Sequence, residues 1–398
     1  MASFSDLLEM HRMARVEGGR YEKSRSLLKE LLENEGKHFV GIAGPRGVGK
    51  TVLLRQFAHK NENAFYLSAD TCRDGDLFEL AKQLNTDLGF SLLLIDEIHY
   101  CPGYDEMLKK IYDFLDIRVI FTSSVSLSIY HSSYDLSRRV VIRQLFPFSF
   151  REYILFKTGE APHRISLEDI LLNRGLSVPL RYSGLFRDYL GGGVLPFALD
   201  EPDPLPLLEN IVGKVVSDDI PRVAKITIDE VDLIRKTLEF IGKSEVDGIN
   251  YSSISRNLGI TKYKAAQYTT LLEKAFIINQ VFPEGTNVLK EPKILMALPY
   301  RLLYRKMEDC LGPLREDFFV SMMKAAGLAF SYLKTTRGAK TPDYLLSKEE
   351  GNIVIEVGGK GKGRNQFKGI NAFEKLILSP STKTDGINRP LESVGFLV

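Results

Sequence analysis

Two rhythms of apolar and polar residues run along the chain, and the points where one gives way to the other mark its elements. Phe39 to Ala43 (FVGIA), Ala64 to Ala69 (AFYLSA), Ser91 to Tyr100 (SLLLIDEIHY), Arg118 to Ser124 (RVIFTSS) and Val140 to Leu145 each hold a short, nearly continuous apolar run. A strand that is apolar on both faces lies inside a parallel sheet covered by helices, so these runs predict such a sheet. Between them the spacing turns helical, as in Leu27, Leu28, Leu31 and Leu32 within Tyr21 to Glu35, and in Val52, Leu53, Leu54 and Phe57. What precedes Tyr21, with Gly18 and Gly19, reads as a solvent-exposed arm.

The second half changes register. An amphipathic helix, Val231 to Ile241, is followed by a short helix with Ile254 and Leu258 on one face, a left-handed stop at Gly259, and a cap at Thr261. Ala265, Tyr268, Leu272 and Phe276 then bury one side of the next helix. Phe276 to Phe282 reads as a strand, and Pro283 to Thr286 as a hairpin tip. Helix, helix, turn, helix and β-ribbon make a winged helix-turn-helix pattern. Its outer helix face carries Lys262, Lys264, Gln267 and Lys274, which could reach phosphates or a base edge of DNA, or serve a protein partner. Beyond it, LREDFFVSMM predicts a helix containing Glu316, and AFSYL, TPDYLL and NIVIEV predict strands.

Composition narrows the classes. At 398 residues two to four domains are expected. A hydrophobic fraction of 44% with 26% charged residues is ordinary for a globular protein. Lys and Arg number 53 against 51 Asp and Glu, so a nucleic-acid surface would have to be local. No apolar run has the length of a membrane span and the first residues lack a basic-then-apolar leader, which predicts a cytoplasmic protein without membrane contact. Cys72, Cys101 and Cys310 stand apart, with no ligand-spaced partner, and read as buried or idle thiols.

The chemistry concentrates at Gly44 to Thr51, GPRGVGKT, between the FVGIA strand and a helix start. In that context GxxxxGK[ST] is a phosphate-binding loop, whose backbone N–H groups wrap an anion because glycines keep side chains away. Gly44, Pro45, Arg46, Gly47, Val48, Gly49, Lys50, Thr51 and Val52 are the predicted nucleotide contacts, with Lys50 on the β- and γ-phosphates and Thr51 on Mg²⁺. Asp96 and Glu97 emerge at the carboxyl end of their strand, the edge where open α/β sheets place ligands. Asp96 suits the Mg²⁺ shell and Glu97 the base that orients water, although such a pair can also cap a helix. RVIFTSS fills the gap between the loop strand and the acid strand, bringing Thr122, Ser123 or Ser124 toward the γ-phosphate as a sensor, or leaving them to cap the next turn. Ser123 is the candidate sensor. Arg139, with Arg138 second, could stabilise the charge of phosphoryl transfer from a neighbouring subunit, or be a solvated charge pair.

Together GPRGVGKT, LLLIDEIHY, RVIFTSS and SRRVVIRQLFPFSFREYI resemble the prokaryotic AAA-type ATPases that carry a C-terminal domain of unknown function. LFRDYLGGGVLPFALDE and VSDDIPR continue the resemblance through what in that family is a helical lid. The resemblance implies an ASCE-type P-loop core, ATP as the nucleotide, and Asp96 with Glu97 as the acid pair. Pro342 and Asp343 followed by Glu356 resemble the PD-(D/E)xK nuclease pattern, but position 358, where the lysine would stand, is glycine. Lys360 is the nearest substitute, so an inert or repurposed site is expected, with the basic cluster Lys360, Lys362, Arg364 and Lys368 suited to a phosphate backbone or simply solvated. The fold class expected is α/β, divided into an arm and P-loop core at 1–150, a helical lid at 151–227, a winged helix-turn-helix at 228–302 and a degenerate nuclease-like domain at 303–398. The activity expected is ATP hydrolysis to ADP that moves the output domains, acting on DNA, with a homo-oligomer as a candidate assembly. The other classes are a nucleotide-switched regulator that binds protein, and an ATP-gated nuclease.

Overall fold

A computed structural model of the protein describes residues 3–34, 36–72, 76–124, 136–285, 291–333, 342–348, 351–359, 367, 372–380 and 386–398. The chain divides into two compact units, Met1–Pro147 and Phe148–Val398. Among the described residues no helix is long and apolar enough to cross a membrane.

The first unit begins with α1 (Phe4–Gly18) and α2 (Ser26–Glu33). The five apolar runs then form β1 (Phe39–Ala43), β2 (Ala64–Ser68), β3 (Leu92–Asp96), β4 (Arg118–Ser123) and β5 (Val140–Gln144). All pair in parallel, in the order β2-β3-β4-β1-β5, so every carboxyl end lies on one edge. β4 separates β1 from β3, as the sequence predicted. The helices α3 (Lys50–Lys60), α4 (Leu77–Thr86) and α5 (Tyr104–Phe114) intervene between strands. Full burial of β1 and β3, and of Phe121 and Val119 in β4, is what a sheet covered on both faces requires.

The segment before Tyr21 is not an exposed arm. Ser3 and Asp6 cap it as a helix, and α1 buries Leu7, His11 and Ala14. His11 stacks on Phe65 at 4.6 Å, and its Nδ1 accepts the N–H of Tyr66 at 3.0 Å. β2 is the outer strand of the sheet, so this bond takes a backbone donor that would otherwise lie open on the edge. Gly18 is required where α1 ends, because a Cβ there would lie 2.1 Å from the carbonyl oxygen of Arg55.

The second unit opens with α6 (Phe150–Thr158), capped reciprocally by Ser149 and Glu152. Phe150, Tyr153, Phe186 and Tyr189 pack ring against ring. Beyond a run of further helical segments, among them Leu205–Lys214, come α7 (Ile228–Lys243), α8 (Tyr251–Leu258) and α9 (Lys262–Lys274). Gly259 ends α8 in the left-handed region at φ 66°, and Thr261 caps α9 through the N–H of Lys264. β6 (Ile278–Val281) and β7 (Lys293–Met296) then pair antiparallel. Of the anticipated hairpin tip, Thr286 lies outside the described residues.

Helix α10 (Leu311–Ala325) carries Phe318, which meets Phe186 and Tyr189, and Phe319, which meets Tyr344. The last sheet is mixed, in the order β12-β11-β10-β9-β8, from β8 (Phe330–Tyr332), β9 (Tyr344–Lys348), β10 (Gly351–Val357), β11 (Glu374–Ser379) and β12 (Asn388–Pro390). β10 runs antiparallel to β9 and parallel to β11. Cys101 and Cys310 are buried thiols, and the side chain of Cys72 lies outside the description.

Candidate functional site

At the carboxyl edge of the first sheet, β1 runs into the loop Gly44 to Gly49 and α3 begins at Lys50. Gly47 and Gly49 have φ of 79° and 96°, a region that a side chain disfavours. A Cβ on Gly44 would fall 2.4 Å from the carbonyl oxygen of Leu145, so the loop can pass the end of β5 only as glycine. Val48 is fully buried and anchors the loop. Beneath it Arg25, 8% exposed, donates from Nη1 to the Val48 carbonyl at 3.2 Å and from Nη2 to the Phe146 carbonyl at 2.7 Å. Nothing in the sequence marks Arg25 for this task. It is one of many arginines beside an amphipathic helix, and its partners are backbone groups that no pattern reveals.

Lys50 is 4% exposed, and its Nζ donates to the carbonyls of Gly44 at 3.0 Å and Pro45 at 3.1 Å. Burial pushes this ammonium below its ordinary pKa, while Glu97 and Asp96 pull the other way. Thr51 and Val52 follow in the first turn, half-buried. Arg46 reaches across to the Tyr100 hydroxyl at 3.4 Å.

The acid pair sits where the sequence placed it. Asp96 is buried at the end of β3, with Oδ1 accepting the Thr122 hydroxyl at 2.7 Å and Oδ2 accepting the Tyr66 hydroxyl at 3.0 Å. Glu97 leaves the strand in a left-handed conformation, φ 54°, and its N–H donates to Thr122 Oγ1 at 2.9 Å. Its Oε1 lies 3.7 Å from Lys50 Nζ, and its Oε2 accepts the N–H of Ser124 at 2.9 Å. The Ser124 hydroxyl donates to the same carboxylate. Burial works to raise the Glu97 pKa, but Lys50, His99 and the Ser124 donors outweigh it and hold the carboxylate below its ordinary range.

The three hydroxyls at the end of β4 therefore divide. Thr122 and Ser124 hold the acids, whereas Ser123, opposite Ala43 across β1, lies 3.4 Å from His99 Nδ1. The structure does not bring Arg139 to this group. It precedes β5 at the amino edge, because Val140 is in register with Phe39 and Gln144 with Ala43. There it forms a double contact with Asp113, 3.0 and 2.9 Å, over the ring of Tyr112. Arg138 beside it is exposed.

In the second unit Lys262 pairs with Glu291 at 2.9 Å and Lys264 with Glu230 at 3.1 Å, so two of the four outward residues of α9 already face acids. Gln267 and Lys274 are half-buried. Elsewhere in the second unit, the carboxylates of Asp247, Glu316 and Asp343 converge within 4.8 Å of one another. Glu356 is buried in β10, and Asp343 Oδ2 accepts the N–H of Val357 at 2.8 Å. The lysine that meets these acids comes from an unexpected element. Lys293 of β7 lies 2.7 Å from Glu316 and 3.1 Å from Asp247, above the ring of Tyr344. Lys360, Lys362, Arg364 and Lys368 fall outside the described residues.

Residues 36–154 match a family model described as an AAA domain, and residues 183–297 match one described as a domain of unknown function (DUF8612). The chain is similar to the uncharacterized protein MJ1637 of Methanocaldococcus jannaschii, 28% identical across 95% of this chain and 88% of that one. Among solved structures, a Walker-type ATPase of Pyrococcus abyssi is similar at 18% identity over 67% of this chain and 90% of that chain, with a TM-score of 0.38. The RuvB Holliday junction branch migration motor of Thermotoga maritima is similar at 15% identity over 65% and 89%, with a TM-score of 0.29. The match to the AAA domain spans the whole five-stranded parallel sheet of the first unit.

Proposed function

We propose that the protein is a Mg²⁺-dependent ATPase whose nucleotide site is Gly44 to Val52 together with Asp96 and Glu97. The observation that carries the reading is the meeting of a desolvated ammonium with a carboxylate at the carboxyl edge of the sheet, Lys50 Nζ 3.7 Å from Glu97 Oε1. In this reading the loop N–H groups and the first turn of α3 bind the phosphates of ATP. Lys50 exchanges the Gly44 and Pro45 carbonyls for β- and γ-phosphate oxygens. The donor set fits Mg²⁺: a hydroxyl on Thr51 and a buried carboxylate on Asp96, oriented by two hydroxyls and still able to accept from metal-bound water. Bound there, Mg²⁺ neutralises charge on the phosphate oxygens. Glu97 orients the attacking water and takes its proton, and Ser123 reads the γ-phosphate. A role for Arg139 in this reading is confined to a neighbouring copy in a homo-oligomer, and requires it to leave Asp113.

Two variants test the site. Lys50→Ala should lose binding of a fluorescent ATP analogue; unchanged affinity sinks the assignment of the loop. Glu97→Gln should bind ATP as tightly as the wild type but release phosphate about 100-fold more slowly or worse. Full turnover in that variant removes Glu97 from its role.

For the output, we infer that α7, α8, α9 and the β6–β7 ribbon act as a winged helix-turn-helix that contacts duplex DNA through Lys262, Lys264, Gln267 and Lys274. A second reading, a nucleotide-switched regulator that docks on protein, is favoured by the pairing of Lys262 and Lys264 with Glu291 and Glu230. Phosphate release measured with and without duplex DNA, at two salt concentrations, separates them. Stimulation that falls steeply with salt supports the first, and indifference to DNA supports the second. Because glycine stands at position 358 where the nuclease pattern has its lysine, nuclease activity is not part of the proposal.

A further inference from the structure

The turn that follows the acid pair contains a side chain which the proposed mechanism leaves without a task. His99 is in the short helical turn Ile98–Tyr100 after β3, with its side chain 7% exposed. Its Nδ1 lies 3.3 Å from Glu97 Oε2 and 3.4 Å from Ser123 Oγ. The ring packs on Tyr100 with centroids 4.4 Å apart, and the Tyr100 hydroxyl in turn meets Arg46 of the glycine loop. One imidazole therefore touches the residue proposed to activate water and the residue proposed to sense phosphate, and is braced by a ring tied to the loop.

The chemistry of the contact fixes its direction. A carboxylate only accepts, so the proton on Nδ1 points to Glu97, and a serine oxygen at similar distance shares it as a second acceptor. Two acceptors on one donor account for distances longer than a simple N–H···O bond. Ser124 also holds the carboxylate of Glu97, through its N–H on Oε2 and its hydroxyl on Oε1. Between these two supports the carboxylate has one orientation, with Oε1 toward Lys50. A shift of Ser123 would be felt by Glu97 through the same imidazole.

We infer that His99 is the positioning residue of the hydrolytic site, holding Glu97 in its water-activating orientation and coupling that orientation to Ser123. The inference rests on the ATPase reading above. His99 lies beyond contact with phosphate groups in this scheme, so removing it should leave nucleotide affinity nearly intact while turnover falls.

The test compares His99→Leu, His99→Asn, Ser123→Ala and the double variant His99→Leu/Ser123→Ala, in the full chain, for phosphate release and for binding of fluorescent ATP and ADP analogues. His99→Leu keeps bulk but offers no donor, and should lower kcat at least about ten-fold with affinity for the ATP analogue changed less than about three-fold. His99→Asn places an amide N–H near the position of Nδ1 and should recover a substantial part of the loss. Because Ser123 is proposed to act through His99, the double variant should be no slower than the worse single variant, where independent effects would multiply. Wild-type turnover in His99→Leu overturns the assignment while leaving the ATPase reading intact. Parallel loss of affinity and turnover without rescue by asparagine also overturns it, since that is what a packing role predicts. If the wild type itself hydrolyses no ATP, both readings fall.

Discussion

Glu97 holds a backbone conformation that side chains avoid, φ 54°, and a non-glycine residue there costs roughly 1–2 kcal/mol. The surrounding bonds offset that cost. Thr122 accepts the Glu97 N–H and donates its own hydrogen to Asp96, so one hydroxyl fixes both acids. Thr122→Val removes it at nearly constant volume and leaves two buried polar groups without their partner, a loss of about 2 kcal/mol or more. The expected outcome is a melting temperature lower by several degrees and slower phosphate release; a variant with native stability and turnover refutes this role. Sequence reasoning took Ser123 from the three hydroxyls as the candidate sensor but did not assign Thr122 and Ser124 to the acids. The division depends on where the backbone turns after Asp96, and a left-handed glutamate leaves no mark in the order of residues. The placement of Lys50, Asp96 and Glu97 at one sheet edge was legible because a continuous apolar strand precedes each of the two motifs that hold them. Arg25 and His99 were not, because each acts through neighbours distant in sequence or through a turn of unpredictable course.

At the scale of elements, the continuous apolar runs carried enough information to predict all five strands of the parallel sheet, and helix α1 shows why the same reading fails elsewhere. Its buried face is completed by a histidine, while Met10, Met13 and Val16 are exposed, so no clean apolar stripe appears. Burial, and to a smaller degree Arg15, lower the His11 pKa from its ordinary 6.5 to about 4. The neutral ring is the one that accepts from Tyr66, so its contribution to stability is full above about pH 6.5 and is lost as pH falls toward 4, where the unfolded chain binds the proton first. This linkage is worth up to ~3 kcal/mol. Protection of α1 against hydrogen exchange, corrected for the intrinsic pH dependence of the amide rate, should fall between pH 6.5 and 4.5 more than that of α5, and His11→Gln should flatten the dependence. An identical response in wild type and variant rules the linkage out. The strand β7 illustrates the complementary limit. Lys293 is paired with Glu316 and Asp247, which lie 23 and 46 positions away, and only the folded register brings them together. Lys293→Met should cost ~3 kcal/mol by stranding a mostly buried carboxylate, and adding Glu316→Gln should restore part of it. Thermal melts that show no recovery in the double variant contradict the pairing as the cause.

At the scale of the whole molecule, near neutrality makes the local charge pattern decisive. With 53 basic and 51 acidic side chains there is no global field to draw the chain to a polyanion, so the DNA contact proposed above requires a few residues at one surface. The outward face of α9 is that surface in the proposed reading, yet Lys262 and Lys264 each begin paired with an acid. Both lysine side chains are exposed, at 63% and 43%, so solvent screens their pairing with the mostly covered acids and exchanging a carboxylate for a phosphate is inexpensive. The acids then act as internal competitors, and weakening one should help DNA. Glu291→Gln releases Lys262 from its charge while keeping an acceptor for Ser252, which also bonds to this side chain. If α9 contacts the backbone of DNA, this variant should bind duplex several-fold more tightly at low salt. Lys262→Ala should bind more weakly across all sequences and lower the salt slope by about one. If the module docks on protein instead, neither substitution changes a DNA affinity that is weak throughout. Fluorescence anisotropy with a labelled duplex, repeated over a salt series, reads both the affinity and the slope. Opposite shifts in the two variants support DNA contact through this helix, and unchanged binding in both removes α9 from the interface.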